Sequence, residues 1–158
     1  MSTNGTASGG WERLPVRPAV AVAGVAPGAP PLVPRAGVDL VQVSEVRRAL
    51  ASFGERYLRR LFTPGEVDDC RRAADPVPHL AARLAAKEAT IKVLGVDDLQ
   101  PPWTAIEVCR RASGAPELSL TGEAARLAEA QRLAGLSLSL SHEGDLAIAF
   151  VIAMPGAS

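Results

Sequence analysis

The sequence has little of what zinc, redox and membrane proteins depend on. It holds two cysteines and two histidines in 158 residues. Cys70 and Cys109 stand far apart with no Cys-x-x-Cys, and the histidines do not cluster, which argues against a zinc site. One disulfide is formally available, but two isolated cysteines are equally ordinary in a reduced cytoplasmic protein, and both are read as packing residues. No run of about 18 apolar residues exists, so nothing reads as a membrane span. Neither Gly-x-Gly-x-x-Gly nor a P-loop is present, which argues against a doubly wound nucleotide fold. An excess of either charge is missing too. Seventeen Lys and Arg cancel seventeen Asp and Glu, so the chain lacks the electrostatic surface of a general nucleic-acid binder. Disorder throughout is excluded by an apolar content of 47%. Lysine is scarce too: two residues, against fifteen arginines.

Both lysines lie in one segment, Leu80-Ala-Ala-Arg83-Leu-Ala-Ala-Lys87-Glu88-Ala-Thr-Ile-Lys92. It is built from good helix formers. Glu88 and Lys92 are four apart and share a helical face. A carboxylate beside an ammonium group can hold a metal ion and handle a phosphate. It can equally be an ordinary surface ion pair, so a functional reading needs a partner from elsewhere in the chain.

Residues 1–34 read as a flexible leader, Ser/Thr/Gly-rich at first and then Ala/Pro/Val-rich. Five prolines between Pro18 and Pro34 argue against a continuous signal helix despite Arg13 and Arg17 before it. The folded domain is expected over 35–158. Ala36 to Val43 alternates as a strand, with Val38, Leu40 and Gln42 on one side and Asp39, Val41 and Val43 on the other. Ser44 is a candidate N-cap for a helical pattern through Leu61, with a break near Gly54. That stretch carries Arg47, Arg48, Arg56, Arg59 and Arg60 against Glu45 and Glu55, a local net of +3. It could dock an acidic partner or be a solvated face.

Thr63-Pro64-Gly65-Glu66 combines a cap, a proline at the first helical position and a glutamate at the third. The long helix carrying Glu88 is expected to stop at Gly95. Strands are expected over Trp103–Arg110 and Glu117–Leu120, and a helix from Thr121 through Leu133. A terminal hairpin follows, with strands Leu136–His142 and Leu146–Met154. Its leucines fall on one face and its serines on the other. Trp103 reads as core packing. The fold class is α+β, a mainly antiparallel sheet packed with helices.

Taken together, Gly37-Val-Asp39, Leu61-Phe-Thr63-Pro-Gly-Glu66, Arg83-Leu-Ala-Ala-Lys-Glu-Ala-Thr-Ile-Lys92, Trp103-Thr-Ala-Ile-Glu107-Val108 and Leu138-Ser-Leu-Ser-His142 resemble the holo-[acyl-carrier-protein] synthases. These are the small type of 4′-phosphopantetheinyl transferase. The resemblance covers about residues 35–153. It implies transfer of phosphopantetheine from coenzyme A to a serine of an apo acyl carrier protein. It also implies a requirement for Mg²⁺, adenosine 3′,5′-bisphosphate as the second product, and a cytoplasmic homotrimer with coenzyme A where subunits meet.

On that resemblance Asp39 and Glu88 are metal ligands and, with Lys92, form the reaction centre. Arg83, Gly95, Pro116, Ser141 and His142 contact the coenzyme, and the helix region with Arg47, Arg56, Arg59 and Arg60 faces the carrier protein. The chain departs from the family at Ala115, where a lysine is common, at Ala82 and Leu84 beside the arginine, and at Thr90 and Ile91. These departures imply altered partner choice or a weaker grip on the coenzyme, but leave Asp39, Glu88 and Lys92 intact. Two competing classes remain: a carrier-binding module that has lost catalysis, and a metal-dependent pyrophosphatase, which would need more carboxylates than this one pair.

Overall fold

The structure, a computed structural model, describes residues 33–96 and 100–156. The expected leader lies almost wholly outside them. β1 (Arg35–Gln42) leads into α1 (Val43–Phe53), α2 (Glu55–Leu61), α3 (Pro64–Cys70) and α4 (Val77–Leu94). A 3-10 turn, Trp103–Ala105, precedes the hairpin of β2 (Ile106–Arg110) and β3 (Pro116–Leu120). α5 (Gly122–Ala130) then enters β4 (Leu133–Glu143) and β5 (Leu146–Pro155). β1, β5 and β4 form one antiparallel sheet in that order, and β2–β3 form a second. The α+β expectation holds.

α4 lies across the three-stranded sheet and also touches α1, α3, α5 and β2. Eighteen residues give it a length of about 27 Å. Ala81, Ala82, Ala85, Ala86 and Ala89 are buried on it, and Ala147, Ala149, Val151 and Ala153 are buried on β5. Small side chains on both elements let helix and sheet come close. The approach is closest at Gly37, where a Cβ would stand 2.1 Å from the Ala89 carbonyl oxygen. A glycine is therefore required two residues before Asp39, and β1 is drawn against the part of α4 that carries Glu88 and Lys92.

A buried ion pair ties the remaining elements to α4. Lys87 Nζ donates to Glu66 Oε2 at 2.7 Å, to the Trp103 carbonyl at 2.9 Å and to the Ile106 carbonyl at 2.5 Å. All three ammonium protons are thereby used. Glu66 accepts from the Val108 amide at 3.0 Å and the Thr63 amide at 2.9 Å. The capping box expected at Thr63 and Glu66 is present, and the same carboxylate satisfies Lys87.

Several local expectations change. Ser44 is not the N-cap; Gln42 holds that position without a side-chain bond. The work passes to Asp145 in the β4–β5 turn, which accepts from the Ser44 amide and hydroxyl, both at 2.7 Å. A negative side chain from 101 residues away thus sits at the start of α1, where the helix dipole favours it. Trp103–Ala105 is a turn, because Lys87 draws the Trp103 carbonyl inward, and the strand begins at Ile106. α5 ends at Ala130, and Leu133 opens β4 across a register shift at Leu133/Gly135. Thr121 makes no side-chain cap bond. Gly54, at φ +52°, separates α1 from α2 as the sequence suggested.

Candidate functional site

Asp39 projects from β1 toward α4. Lys92 Nζ donates to Asp39 Oδ1 and to the Val38 carbonyl, both at 2.8 Å. The lysine side chain is 54% exposed and the aspartate 20%, so the pair is open to a ligand from solution. Glu88 lies one turn before Lys92 and, among the described residues, has no ion pair or side-chain hydrogen bond. Its carboxyl titrates above the usual glutamate range. Burial is the largest cause and the Asp39 charge adds to it, while Lys92 works against both. Two carboxylates that repel each other in a partly dry setting favour a shared divalent cation. Oxygen ligands suit Mg²⁺, which keeps waters or phosphate oxygens in its remaining positions. No group of three or more potential metal ligands occurs among the described residues. Asp39 and Glu88 therefore fit an ion whose other ligands come from substrate and solvent.

A second group of expected residues meets elsewhere. Arg83, Pro116, Ser141 and His142 line one cleft, together with His79 and Arg110. The cleft is about 210 Å³. That is small beside the roughly 300–1,000 Å³ of complete small-molecule sites, so it can hold only part of a coenzyme-sized molecule. Arg83 is 3% exposed. Its guanidinium pairs with Asp69 and donates to the His79 carbonyl at 3.3 Å, yet its Nε has no partner. Asp69 also accepts from Arg110 Nε at 2.9 Å. Burial alone would raise the Asp69 carboxyl. The hydrogen bond from Arg110 and the charges of Arg83, Arg110 and Arg72 together outweigh it and hold Asp69 below the usual range.

Five residues separate Arg83 from Glu88 on α4, roughly 140° around the axis, and Lys92 stands roughly opposite Arg83. One chain therefore presents the acidic pair and the cationic cleft on different sides of the same helix. Gly95 belongs to neither group. It ends α4 at φ +63°, and a Cβ there would stand 3.1 Å from the Arg35 guanidinium.

The sequence pattern matches a family model described as the 4′-phosphopantetheinyl transferase superfamily over residues 35–151. The chain belongs to that superfamily. It is a transferase with an α+β phosphopantetheinyl transferase fold. A protein described as holo-[acyl-carrier-protein] synthase from Desulforudis audaxviator is 48% identical over 118 residues, covering 75% of this chain and 90% of the relative. A protein of the same description from Chloroflexus aggregans is 43% identical, covering 74% and 92%. Among solved structures, the holo-[acyl-carrier-protein] synthase of Neisseria meningitidis superposes with a TM-score of 0.67 at 35% identity, covering 75% of this chain and 95% of that one. A synthase–coenzyme A complex described as from Chronobacterium ammoniagenes superposes at 0.69 with 32% identity, covering 79% and 99%.

Sequence reasoning passed over two members of the cleft of this phosphopantetheinyl transferase, His79 and Arg110, and Asp69, which pairs with Arg83 and Arg110 behind it. His79 carried a usable signal, because it lies four residues before Arg83 and so shares its helical face. Asp69 and Arg110 carried none, since only the packing of α3 on β2 brings them to Arg83. Lys87 sits next to Glu88 but is fully buried and bound to Glu66, so of the two lysines Lys92 alone faces solvent. Trp103 packs against the core as expected. Cys70 and Cys109 are free thiols, the first buried and the second half-buried.

Proposed function

We propose that this phosphopantetheinyl transferase moves 4′-phosphopantetheine from coenzyme A to a serine of an apo acyl carrier protein and releases adenosine 3′,5′-bisphosphate. The observation that carries the reading is the joining of Asp39, Glu88 and Lys92 at one solvent-facing place in a chain of this family. Asp39 and Glu88 would hold Mg²⁺, which when bound neutralises charge on the pyrophosphate. In the transfer the carrier serine oxygen forms a bond to the β-phosphorus, the bond from that phosphorus to the nucleotide breaks, and the serine proton leaves to water or a carboxylate. Lys92 places its ammonium group where negative charge grows on the departing phosphate. Arg83, Pro116, Ser141 and His142 hold the nucleotide end. Incubating an apo-carrier with coenzyme A and Mg²⁺ and reading its intact mass tests the whole. A carrier that gains the phosphopantetheine mass, and fails to gain it in EDTA, supports the reading. Carriers from fatty-acid, polyketide and peptide synthesis, none of them modified, would end it.

Lys92→Ala is expected to lower the turnover number by about a hundredfold while changing the Michaelis constant for coenzyme A far less, because its contact strengthens with developing charge. Lys92→Arg should rescue poorly, since a planar fork does not replace a compact ammonium group. Steady-state kinetics with an unchanged turnover number for Lys92→Ala would remove the lysine from the reaction centre.

We infer a homotrimer with the coenzyme between subunits. The separation of Arg83 from Glu88 around α4 supports this, because a cleft on one chain can then serve the acidic pair of a neighbour. So does the uncovered sheet face. The leucine and alanine side of the terminal hairpin packs on α4, while Val38, Leu40, Ile148, Phe150 and Met154 are 40–53% exposed on the other side. An apolar patch of this kind marks an interface. Light scattering should give three chains for the native protein and a smaller mass for Phe150→Asp, with transfer lost in step. A native monomer at micromolar concentration with full activity would refute the shared site.

We infer that the carrier docks on α1 and α2. Arg47, Arg48, Arg56, Arg59 and Arg60 are all exposed there, and Arg47 and Arg48 are paired to Asp75 and Glu45. Arg56 stands over the exposed Phe53 ring at 5.4 Å. Phe53, Arg56, Tyr57, Arg60 and Leu61 line a surface groove that offers an acidic helix both charge and apolar contact. Arg56→Glu with Arg60→Glu should raise the Michaelis constant for the carrier about tenfold at low salt, with little change for coenzyme A. Identical carrier kinetics would leave the arginines as solvated surface. The cytoplasm is the proposed compartment, and residues 1–34 the part removable at little catalytic cost.

A further inference from the structure

In the coenzyme cleft His142, already assigned to the nucleotide end, is paired with a second imidazole that has no role so far. His79 of α4 and His142 of β4 meet edge to face, with ring centroids 5.2 Å apart at 79°. Both line the cleft, and His79 also walls the adjoining hollow formed with Asp69, Arg72 and Arg110. The groups around His79 come from every neighbouring element. They are Arg83 on its own helix, Asp69 on α3, Arg72 and Asp75 in the α3–α4 connection, Arg110 on β2 and His142 on β4.

Positive charge prevails at this place. Asp69 is committed to Arg83 and Arg110, with Arg72 at 3.8 Å. Asp75 is committed to Arg47. The buried Nε of Arg83 remains an unpartnered donor at the cleft. His79 resists protonation. Burial is the first cause, followed by the charges of His142, Arg83 and Arg110, against which Asp69 works. A phosphate dianion entering the cleft reverses the sign of the local field. It makes the imidazolium form of His79 the favoured one and gives its N–H a charged acceptor.

We propose that His79 is a phosphate-binding residue of the nucleotide end of the coenzyme site, beside His142, and that nucleotide binding takes up a proton from solvent onto His79. The proposal rests on the reading of the cleft as part of the coenzyme site. His79 and the proton linkage are additional to the coenzyme contacts that the family resemblance implies. Placed four residues before Arg83, His79 adds a switchable donor to a fixed one on the same face of α4. It offers a source of grip in a chain that carries Ala115 where the resemblance leads one to expect a lysine.

The test is calorimetric titration of the full chain with adenosine 3′,5′-bisphosphate at pH 7.5, where phosphate monoesters are largely dianionic. Titrations in two buffers of contrasting ionisation enthalpy give the number of protons taken up. Native protein should show net uptake, and its affinity should fall as pH rises from 7 to 8.5. His79→Gln should bind about tenfold more weakly, the loss of one charge-assisted bond, with smaller uptake and a flatter pH profile. Native protein alone decides the linkage, so a misfolded variant does not obscure the result. The imidazole resonances of His79 in native protein, followed by NMR with and without ligand, provide the site assignment. Tight binding with no proton uptake, or uptake with unmoved His79 resonances, overturns the inference and leaves the cleft as the coenzyme site. No binding of the nucleotide at all overturns both.

Discussion

Glu88→Gln is expected to lower Mg²⁺-dependent transfer by a factor on the order of 10³, the equivalent of several kcal/mol of lost charge stabilisation, with no loss of fold. The two effects part for a physical reason. Glu88 is partly buried beside Asp39 and has no hydrogen-bond partner among the described residues, so its charge works against folding. A carboxyl whose pKa is raised in the folded state binds its proton more readily there than in the unfolded chain. Folding stability therefore falls as pH rises through the titration of Glu88, and the cost disappears below the unfolded pKa.

Removing the charge should leave the melting temperature at pH 7.5 unchanged or higher, and should erase that pH dependence. Activity follows the opposite course. Protonated Glu88 cannot hold the metal, so proton and Mg²⁺ compete for it, and the acid limb of native activity should move to lower pH as Mg²⁺ is raised. Intact-mass transfer rates and thermal melts across pH provide both readings. Activity within tenfold of native for Glu88→Gln, at saturating Mg²⁺, would show that Asp39 and Glu88 do not share the ion.

Lys87→Met is expected to cost about 3–5 kcal/mol of stability, because it strands Glu66 as an uncompensated charge in a site that admits no water. It also withdraws a donor from the Trp103 and Ile106 carbonyls. For a domain of this size the melting temperature should fall by about 10–20 °C. Glu66→Gln with Lys87→Met should recover part of the loss, since two neutral groups carry a smaller desolvation penalty. A double-mutant cycle by urea unfolding isolates the coupling. A single variant that melts within about 3 °C of native would mean that the pair contributes little, as some buried pairs do. In that case α3 and β2 are held by apolar packing around Phe62, Val67 and Val108. The contrast with Lys92→Ala is direct. One lysine should matter to the melt and the other to turnover.

The sequence by itself determined the elements and most of their ends. Period-two and helical patterns placed β1, β4, β5 and α4, and glycine and capping chemistry placed the breaks at Gly54, Thr63 and Gly95. These are local properties of backbone and side chain. It also singled out Asp39, Glu88 and Lys92, because charged residues are conspicuous among alanine and leucine.

Tertiary structure decided what each charge does. Lys87 and Lys92 are five residues apart, indistinguishable by composition. Packing of α3 and β2 buries the first against Glu66, and the approach of β1 at Gly37 brings Asp39 to the second. Asp145 caps α1 across 101 residues. Asp69 from α3 and Arg110 from β2 join Arg83 and His79 of α4. Such contacts depend on which faces meet, and many distant partners satisfy the same local pattern equally well. Helical spacing alone set Arg83 and Glu88 on different sides of α4. What lies across from each side is fixed only when the sheet, with its alanines inward and its Phe150 face outward, closes on the helix.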